Sequence, residues 1–295
     1  MDGFLNINKE PGMTSFDVIR YLQKTLSTPT KIGHLGTLDP MARGVLPVAL
    51  GKATKLIPYL ENEDKAYITE MVLGGFSDTQ DAWGNITYTG KTWFKEDELI
   101  AILQKYTGFI EQIPPMYSAV HYKGKRLYEL AREGIVVERK SRQVLIKELK
   151  LLDIYKKGDL PVIKLYVECS RGTYIRTLCH DIGTDLGTGA YMADLVRIKS
   201  GVFKLESACY LQDITDVEKL RDLLLPLDYP LPAMDAYYLL ADKDIKVVQN
   251  GNPINCRDFR PKTDRVKLYK DDTLLAIAKL QRRGKEYFLQ PEKVI

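Results

Sequence analysis

The segment KIGHLGTLDPMARGVLPVALGKATK, residues 31–55, contains a single carboxylate, Asp39, among four basic residues. Gly36 and Gly44 allow tight turns and a close backbone approach to a ligand, while Pro40 fixes the chain directly after the acid. We therefore predict a basic, glycine-punctuated loop that presents an isolated carboxylate. An ordinary Asp-Pro turn beside solvated lysines is the alternative, because both residues are common in turns. The four basic residues are Lys31, Arg43, Lys52 and Lys55.

The composition is that of an ordinary globular protein. The chain has 295 residues, of which 45% are hydrophobic and 28% charged, enough for one large domain and a small one. No stretch reaches the length of a membrane span, and the N-terminal sequence lacks the long apolar run of a secretory signal. We therefore expect a cytoplasmic protein with no membrane partner. The four cysteines and three histidines show neither metal-ligand spacing nor a disulfide pattern, so no metal is expected.

Basic charge is concentrated in two segments. Residues 117–147 contain eight Lys or Arg against three Glu, and residues 255–295 contain eleven bases against six acids. The whole chain has a net charge of only +4, so the remainder is acidic. Segregated basic charge indicates a polyanion-binding surface. A solvated basic face is the alternative interpretation for either segment taken alone.

The region before the Asp39 segment is predicted to contain a strand and a helix. Residues 4–8 are apolar enough for a short strand. Thr14 or Ser15 can cap the following helix, because Ser and Thr side chains satisfy free backbone N–H groups. Four apolar residues recur at helical spacing and should form its buried face. They are Phe16, Ile19, Leu22 and Leu26.

Further elements are predicted in the middle of the chain. Residues 67–73 are rich in β-formers, so Tyr67 is expected near the start of a strand. Residues 81–85 have the composition of a turn, and residues 96–106 that of a helix. Apolar and polar residues alternate over residues 163–169, which predicts a strand with one buried face.

The period changes after this strand. An apolar stripe over residues 175–186 predicts a helix, with Gly187 as its C-terminal stop. Arg176 belongs to the first turn of that helix and lies off the apolar stripe. A solvated arginine is the alternative to a functional one at this position.

Pro226, Pro230 and Pro232 mark a predicted domain boundary, because repeated proline interrupts both helices and central strands. We expect one domain over residues 1–234 and a second over residues 235–295. Turn signals and short β-rich runs predict a small β-domain in the second part. Its strands are expected at residues 266–269, 274–280 and 287–290, after a short helix at 245–249.

Longer motifs in the chain resemble one protein family. The pattern GHLGTLDPMARGVLP, followed by GKATK, resembles the catalytic-loop signature of the TruB family of tRNA pseudouridine-55 synthases. Four other segments resemble motifs of that family in the same order, and the resemblance weakens beyond the last of them. They are KAY at 65–67, PPMYSAVHYKGKRLYELAREG at 114–134, CSRGTYIRTLCHDIG at 169–183 and ADLVR at 193–197.

The resemblance implies an α+β fold. It would have a pseudouridine-synthase-type mixed, largely antiparallel sheet flanked by helices, and a small PUA-like RNA-binding barrel over residues 235–295. The resemblance also implies an isomerase whose catalytic residues are Asp39, Tyr67 and Arg176, with Asp39 as the nucleophile. Leu195 would form an apolar wall behind the uracil. A tyrosine of the core is the alternative for Tyr67.

RNA contacts are implied by the same motifs. The substrate would be the T stem-loop of tRNA, whose uridine at position 55 must be flipped out of the stack. His34 and Lys65 would contact the RNA, although a solvated turn histidine is the alternative for His34. An insertion at about 114–145 would grip the RNA, because aromatic and basic side chains alternate there. Its binding residues would be Tyr117, Lys123, Lys125, Arg126 and Arg132.

The implied reaction breaks the N1–C1′ bond of uridine and rejoins the base through C5. It needs no redox step, phosphate donor, metal or cofactor, and an ionised carboxylate can serve as the nucleophile. Attack on C1′ and attack on C6 both remain open. A cation within about 4 to 6 Å lowers the pKa of a carboxyl group by roughly 1 to 3 units. Since the resemblance places Arg176 beside Asp39, we expect a lowered pKa for Asp39.

Two other functions are compatible with parts of the pattern. A tRNA-binding or tRNA-folding chaperone acting independently of catalysis would explain the basic segments, but the filled catalytic positions favour activity. A hydrolase with a carboxylate nucleophile would need a second acid near Asp39, and residues 31–55 contain none. No obligate protein partner is expected.

Overall fold

The computed structural model describes residues 1–26, 28–60, 63–239, 241–256, 259–284 and 286–295. Its strands are β1 (Gly3–Lys9), β2 (Ile32–His34), β3 (Arg43–Leu50), β4 (Lys65–Leu73), β5 (Gly75–Ser77), β6 (Ile86–Tyr88), β7 (Gly108–Gln112), β8 (His121–Tyr122), β9 (Lys125–Arg126), β10 (Arg142–Lys157), β11 (Leu160–Cys169), β12 (Ala190–Ser200), β13 (Phe203–Lys204), β14 (Asp235–Tyr238), β15 (Ile254–Asn255), β16 (Arg265–Lys270), β17 (Thr273–Arg283) and β18 (Glu286–Val294). Its α-helices are α1 (Ser15–Thr25), α2 (Ile57–Leu60), α3 (Glu96–Lys105), α4 (Leu127–Arg132), α5 (Ile175–Asp185), α6 (Val217–Asp222) and α7 (Asp242–Gln249).

A mixed sheet forms the larger part of the molecule. In the described part of the chain its order is β1-β3-β12-β4-β11-β10-β7, with β2 added to β3 and β13 added to β12. The pairs are antiparallel except for the short parallel contact between β3 and β12. Apolar residues of α1, α3, α5 and α6 pack with this sheet in one core. The predicted mixed, largely antiparallel sheet flanked by helices is therefore confirmed.

The Asp39 segment is mostly not a loop, contrary to the sequence prediction. β2 and β3 occupy much of residues 31–55, and residues 35–42 connect these two strands. β3 is buried on both faces, because Leu46 belongs to the main core while Val45 belongs to a second apolar cluster. A strand buried on both faces lacks the polar–apolar alternation by which strands are recognised. The result is a short loop anchored between two strands.

Helix α1 begins at the predicted place, and Ile19, Leu22 and Leu26 are buried as predicted, but Phe16 is not. The hydroxyl of Thr14 accepts a hydrogen bond from the backbone N–H of Asp17 at 3.1 Å, and the Asp17 carboxylate accepts one from Thr14 N at 2.8 Å. Phe16 was expected in the core, yet it is 58% exposed, and the guanidinium of Arg20 lies 5.3 Å from its ring centre. Val18 is buried in its place.

The other predicted elements of the first part are present. Residues 163–169 lie within β11, where Ile163, Leu165, Val167 and Cys169 are buried. Their polar neighbours are partly exposed, as the alternation predicted. The predicted helix over 175–186 is α5. The long strands β10 and β12 were not predicted, because neither shows a sustained period of two.

The C-terminal residues form a second sheet. Its order is β14-β16-β17-β18-β15, and it curls into a half-barrel consistent with a PUA-like domain. The three predicted strands lie within β16, β17 and β18, and the predicted helix lies within α7. β14 and β15 are too short to show a recognisable pattern.

The two sheets share an apolar cluster. Tyr269, Leu274 and Ile277 of the C-terminal sheet pack with Phe4 and Val45 of the main sheet. A separate cluster lies within the C-terminal sheet and gives it a core of its own. The shared cluster means that removal of the C-terminal sheet uncovers one face of β1 and β3.

Truncation after Met234 is therefore expected to destabilise the remaining protein. Burial of a large apolar side chain contributes about 1.5 to 3 kcal/mol, so loss of three such side chains removes roughly 4 to 9 kcal/mol. That is comparable with the whole stability of a domain. Urea unfolding followed by circular dichroism should show a much lower midpoint for residues 1–234 than for the full chain. Equal midpoints would show that the shared cluster contributes no stability.

Candidate active site

The loop that carries Asp39 is held by hydrogen bonds to residues near the beginning of the chain. The Ser15 hydroxyl donates to the carbonyl of Leu38 at 3.2 Å and accepts from Leu38 N at 2.9 Å. The backbone N–H of Gly12 donates to the carbonyl of Pro40 at 2.9 Å. The backbone on both sides of Asp39 is thus fixed before any substrate binds.

Lys9 adds a buried cation beneath this loop. Its Nζ donates to the carbonyls of Glu10 at 2.9 Å, Met13 at 2.8 Å and Pro40 at 3.3 Å. Burial lowers the pKa of Lys9 to about 8, and the negative charge of Asp39 opposes that shift. The sequence analysis did not single out Lys9. In the sequence, Lys9 could have been recognised as a charged residue at the end of an apolar strand.

Arg176 makes a two-point contact with Asp39. Its Nε lies 2.9 Å from one carboxylate oxygen, and its Nη2 donates to the other at 3.2 Å. The same guanidinium donates to the carbonyls of Tyr117 at 2.8 Å and Thr79 at 3.1 Å. Its side chain is only 4% exposed, which rules out the solvated arginine considered from the sequence. Three separate chain segments therefore meet at one guanidinium.

Asp81 places a second carboxylate at this guanidinium. One of its oxygens lies 3.5 Å from Nη1 of Arg176. The other accepts hydrogen bonds from the Thr79 hydroxyl at 2.7 Å and from Trp83 N at 3.0 Å. Residues 31–55 contain no second acid, but the folded protein brings Asp81 to the guanidinium that Asp39 contacts. Both Asp81 oxygens already have partners, so this acid is poorly placed to activate water for hydrolysis.

The pKa of Asp39 is raised, whereas the sequence analysis predicted a lowered value. Burial is the main cause, the charge of Arg176 acts in the opposite direction, and the charge of Asp81 raises the pKa further. The prediction was wrong because the effect of burial outweighs the charge of Arg176, which Asp39 also shares with Asp81. The Asp39 side chain nevertheless remains 35% exposed towards the cleft.

A cleft of about 270 Å³ opens beside this pair. Its lining brings together residues from five separate motifs of the sequence. Tyr67 and Leu195 are both nearly buried in its wall, on the neighbouring strands β4 and β12. Burial raises the pKa of the Tyr67 phenol to about 12. The lining includes Asp39, Lys65, Tyr67, Ser118, Tyr174, Arg176, Leu195 and Arg197.

His34 lies in a different cavity from Asp39. This neighbouring cavity of about 290 Å³ shares Gly36 and Lys65 with the cleft. Burial lowers the pKa of His34, and its buried Nδ1 has no hydrogen-bond partner among the described residues. Lys65 therefore stands between the two cavities, and burial lowers its pKa as well.

The basic residues of the Asp39 segment do not surround Asp39. Both terminal nitrogens of Arg43 contact the carboxylate of Asp194, at 2.7 and 2.8 Å. Lys55 donates to the carbonyl of Val294 at 3.0 Å. The cations that act on Asp39 are instead Arg176 and Lys9.

The insertion presents its basic side chains to solvent. It contains the hairpin β8–β9 and helix α4, and all four of its predicted binding cations are exposed. Lys125 is paired with Glu133 at 2.9 Å. Lys123 and Arg132 lie over tyrosine rings at 5.5 and 5.4 Å. Tyr117 contributes its backbone carbonyl to Arg176 and so links the insertion to the cleft.

Neither a metal site nor a membrane-spanning helix is found among the described residues. They contain no group of three or more His, Cys, Asp or Glu side chains arranged to hold a metal ion. None of their helices combines the length and apolar character needed to cross a membrane.

Family models match most of the chain. One described as the TruB family pseudouridylate synthase N-terminal domain matches residues 23–175, and one described as the tRNA pseudouridylate synthase B C-terminal domain matches residues 176–232. A protein named tRNA pseudouridine synthase B from Syntrophomonas wolfei subsp. wolfei is 51% identical, over 100% of this chain and 98% of that relative. One of the same name from Moorella thermoacetica is 43% identical over 99% of both chains.

Solved structures with the same fold support this match. A chain in a Cbf5-Nop10-Gar1 complex aligns with a TM-score of 0.74 and 28% identity, covering 99% of this chain and 84% of that one. A chain in an H/ACA RNP bound to a substrate RNA containing 2'-deoxyuridine aligns with a TM-score of 0.72 and 26% identity, at 99% and 84% coverage.

The shared guanidinium predicts that Asp81 controls the pKa of Asp39. The Asp81→Asn substitution removes a negative charge near Asp39 and leaves Arg176 paired with Asp39 only. The pKa of Asp39 should therefore fall. Titration of the ¹³C-labelled aspartate carboxyls by NMR measures this, with Asp39→Asn identifying the resonance. Asp78→Asn, which changes an exposed acid of the same turn, is the matched control. An unchanged Asp39 titration in Asp81→Asn would contradict the shared-cation description.

Proposed function

The chain belongs to the TruB family of pseudouridylate synthases, and from that premise we propose that it isomerises the uridine at position 55 of tRNA to pseudouridine. The observation that carries the proposal is the two-point contact of Arg176 with Asp39 at the edge of the cleft. A paired carboxylate that still faces a cleft is suited to nucleophilic attack on a bound uridine. The proposed substrate site is the T stem-loop.

We assign Asp39 as the nucleophile. Only the ionised carboxylate is nucleophilic, and the charge of Arg176 favours that form against the cost of burial. The carboxylate forms a covalent bond to the uridine, the N1–C1′ bond breaks, and the uracil turns so that C5 bonds to C1′. The bond to Asp39 then breaks, and its electron pair returns to the carboxylate. Because Arg176 is held by backbone carbonyls, it stays in place when the charge on Asp39 is lost to a covalent bond.

Tyr67 and Leu195 are proposed to hold the uracil during this turn. Their side chains come from adjacent strands and line the cleft that Asp39 faces. An aromatic face and an aliphatic wall bind a planar base without fixing its rotation about the ring normal. In the last step the phenolate of Tyr67, whose own proton has passed to solvent, takes the C5 proton. The electron pair of the C5–H bond restores the C5–C6 double bond, and N1 takes up a proton.

The RNA is proposed to bind across the insertion and the C-terminal sheet. Extracting a stacked base costs a few kcal/mol, and phosphate and stacking contacts must offset that cost. Tyr117, Lys123, Lys125, Arg126 and Arg132 supply such contacts near the cleft, while His34 and Lys65 contact nucleotides that flank the target. We propose residues 1–234 as the catalytic part and 235–295 as an RNA-binding part. The cytoplasm, where tRNA is matured, would be the site of action.

Asp39→Asn tests the assignment of the nucleophile. The amide is nearly isosteric with the carboxylate but far less nucleophilic, so pseudouridine formation should become undetectable. Affinity for tRNA should stay the same or become slightly tighter, because the substitution removes one negative charge from the cleft. Release of tritium from [5-³H]uridine-labelled tRNA and filter binding measure the two quantities. Asp159→Asn, in the exposed turn between β10 and β11, is the control.

Two other outcomes for this variant would contradict the assignment. Tritium release within tenfold of the unchanged protein would exclude Asp39 as the nucleophile. Loss of tRNA binding together with activity would indicate that the loop has a structural role instead.

The insertion is expected to determine how strongly salt weakens tRNA binding. Each lost phosphate contact should flatten the slope of log K against log salt by about 0.7 to 0.9. The variant combines Arg126→Ala with Arg132→Ala, since neither arginine forms an ion pair within the described residues. Its control combines Lys156→Ala with Lys157→Ala at the far end of β10. A variant slope equal to that of the control would remove the insertion from the binding surface.

A further inference from the structure

Arg197 carries a buried charge that has no carboxylate partner among the described residues. Its side chain, on β12, is completely buried. The guanidinium donates to three carbonyls, those of Val45 at 2.6 Å, Gly36 at 3.0 Å and Thr37 at 3.4 Å. Burying a charge without a counter-ion costs several kcal/mol. A side chain retained at that cost calls for a functional explanation.

The position of Arg197 links two parts of the cleft. Gly36 and Thr37 belong to the loop that carries Asp39. Arg197 on β12 lies directly opposite Tyr67 on the neighbouring strand β4. Both side chains line the cleft, and each group shifts the pKa of the other. One rigid, planar group therefore binds the Asp39 loop and lies beside the phenol.

We propose that Arg197 is a positioning residue that fixes the phenol oxygen of Tyr67 relative to the Asp39 loop and promotes proton removal from C5. The proposal rests on the function above, in which Tyr67 accepts that proton. A cation beside a phenol favours the phenolate, because it stabilises the charged form. The phenolate, once its own proton has passed to solvent, is the anion that the buried guanidinium otherwise lacks.

The electrostatic surroundings of Tyr67 agree with this role. Burial raises the pKa of its phenol to about 12, and the charge of Arg197 opposes that rise. Cys169, at the end of β11, and Asp39 both raise the pKa. Arg197 is therefore the group that favours deprotonation of Tyr67. Lys65, Lys9 and His34 are further titratable groups on the surrounding strands whose pKa values Arg197 affects.

Proton removal can be separated from the earlier steps by the choice of substrate. Ordinary tRNA must lose its C5 hydrogen before the product forms. In tRNA containing 5-fluorouridine, the N1–C1′ bond can still break and the base can still rejoin, but no C5 proton is available. A defect confined to proton transfer therefore affects the first substrate and spares the second.

The test uses Arg197→Lys under single-turnover conditions. Lysine keeps the charge but cannot contact carbonyls on one side and a phenol on the other. Tritium release from ordinary tRNA should fall roughly 100-fold, a typical contribution of a proton-transfer group. Consumption of 5-fluorouridine tRNA should stay within about threefold of the unchanged protein. Arg43→Lys, which alters a half-exposed arginine paired with Asp194, is the control and should change neither rate.

Equal losses with both substrates would overturn the proposal, since they would show that Arg197 only supports the loop. If Arg197→Lys does not fold, the unchanged protein still provides a test. At pH values where Asp39 is already ionised, its tritium release should still rise with pH while its consumption of 5-fluorouridine tRNA stays flat, and identical pH profiles would overturn the proposal. Failure of the unchanged protein to act on either substrate would instead reject the proposed function.

Discussion

The active cleft depends on one buried guanidinium shared between two carboxylates. Arg176 contacts Asp39 and Asp81 and also binds the carbonyls of Thr79 and Tyr117. Removing one partner of a buried ion pair costs about 3 to 5 kcal/mol, because the other charge is left without compensation. The first turn of α5, the turn before β6, the insertion and the Asp39 loop are therefore locked together. This arrangement fixes the geometry of the carboxylate before RNA arrives.

Buried cations hold the Asp39 loop from several sides. Lys9 binds the carbonyl of Pro40, Arg197 binds those of Gly36 and Thr37, and Arg176 binds the Asp39 carboxylate itself. Because Lys9 and Arg197 bind carbonyl oxygens rather than acids, their charges are not neutralised locally. The charge of Lys9 favours the anionic form of Asp39, against the burial and the Asp81 charge that raise its pKa. Buried cations therefore hold the loop in place, and Lys9 also favours the charged form of Asp39.

Residues that line the cleft could be predicted from the sequence, but most of the residues that hold them in place could not. Motifs identified Asp39, Tyr67 and Arg176, because residues that line a cleft lie in recognisable local patterns. Asp81 and Lys9 were missed because their importance arises from contacts between segments that are distant in the chain. The strands β3 and β12 were missed for another reason. Strands in the middle of a buried sheet do not alternate cleanly, whereas β11, with one polar face, was predicted correctly.

The central claim is that this cleft converts a single tRNA uridine. The most direct measurement incubates the protein with an unmodified tRNA transcript and maps pseudouridine at nucleotide resolution. A second transcript, in which the uridine at position 55 is replaced by cytidine, is the control. The account predicts close to one pseudouridine per molecule, at position 55, and none in the control. Absence of pseudouridine from the first transcript, or pseudouridine only at other positions, would contradict it.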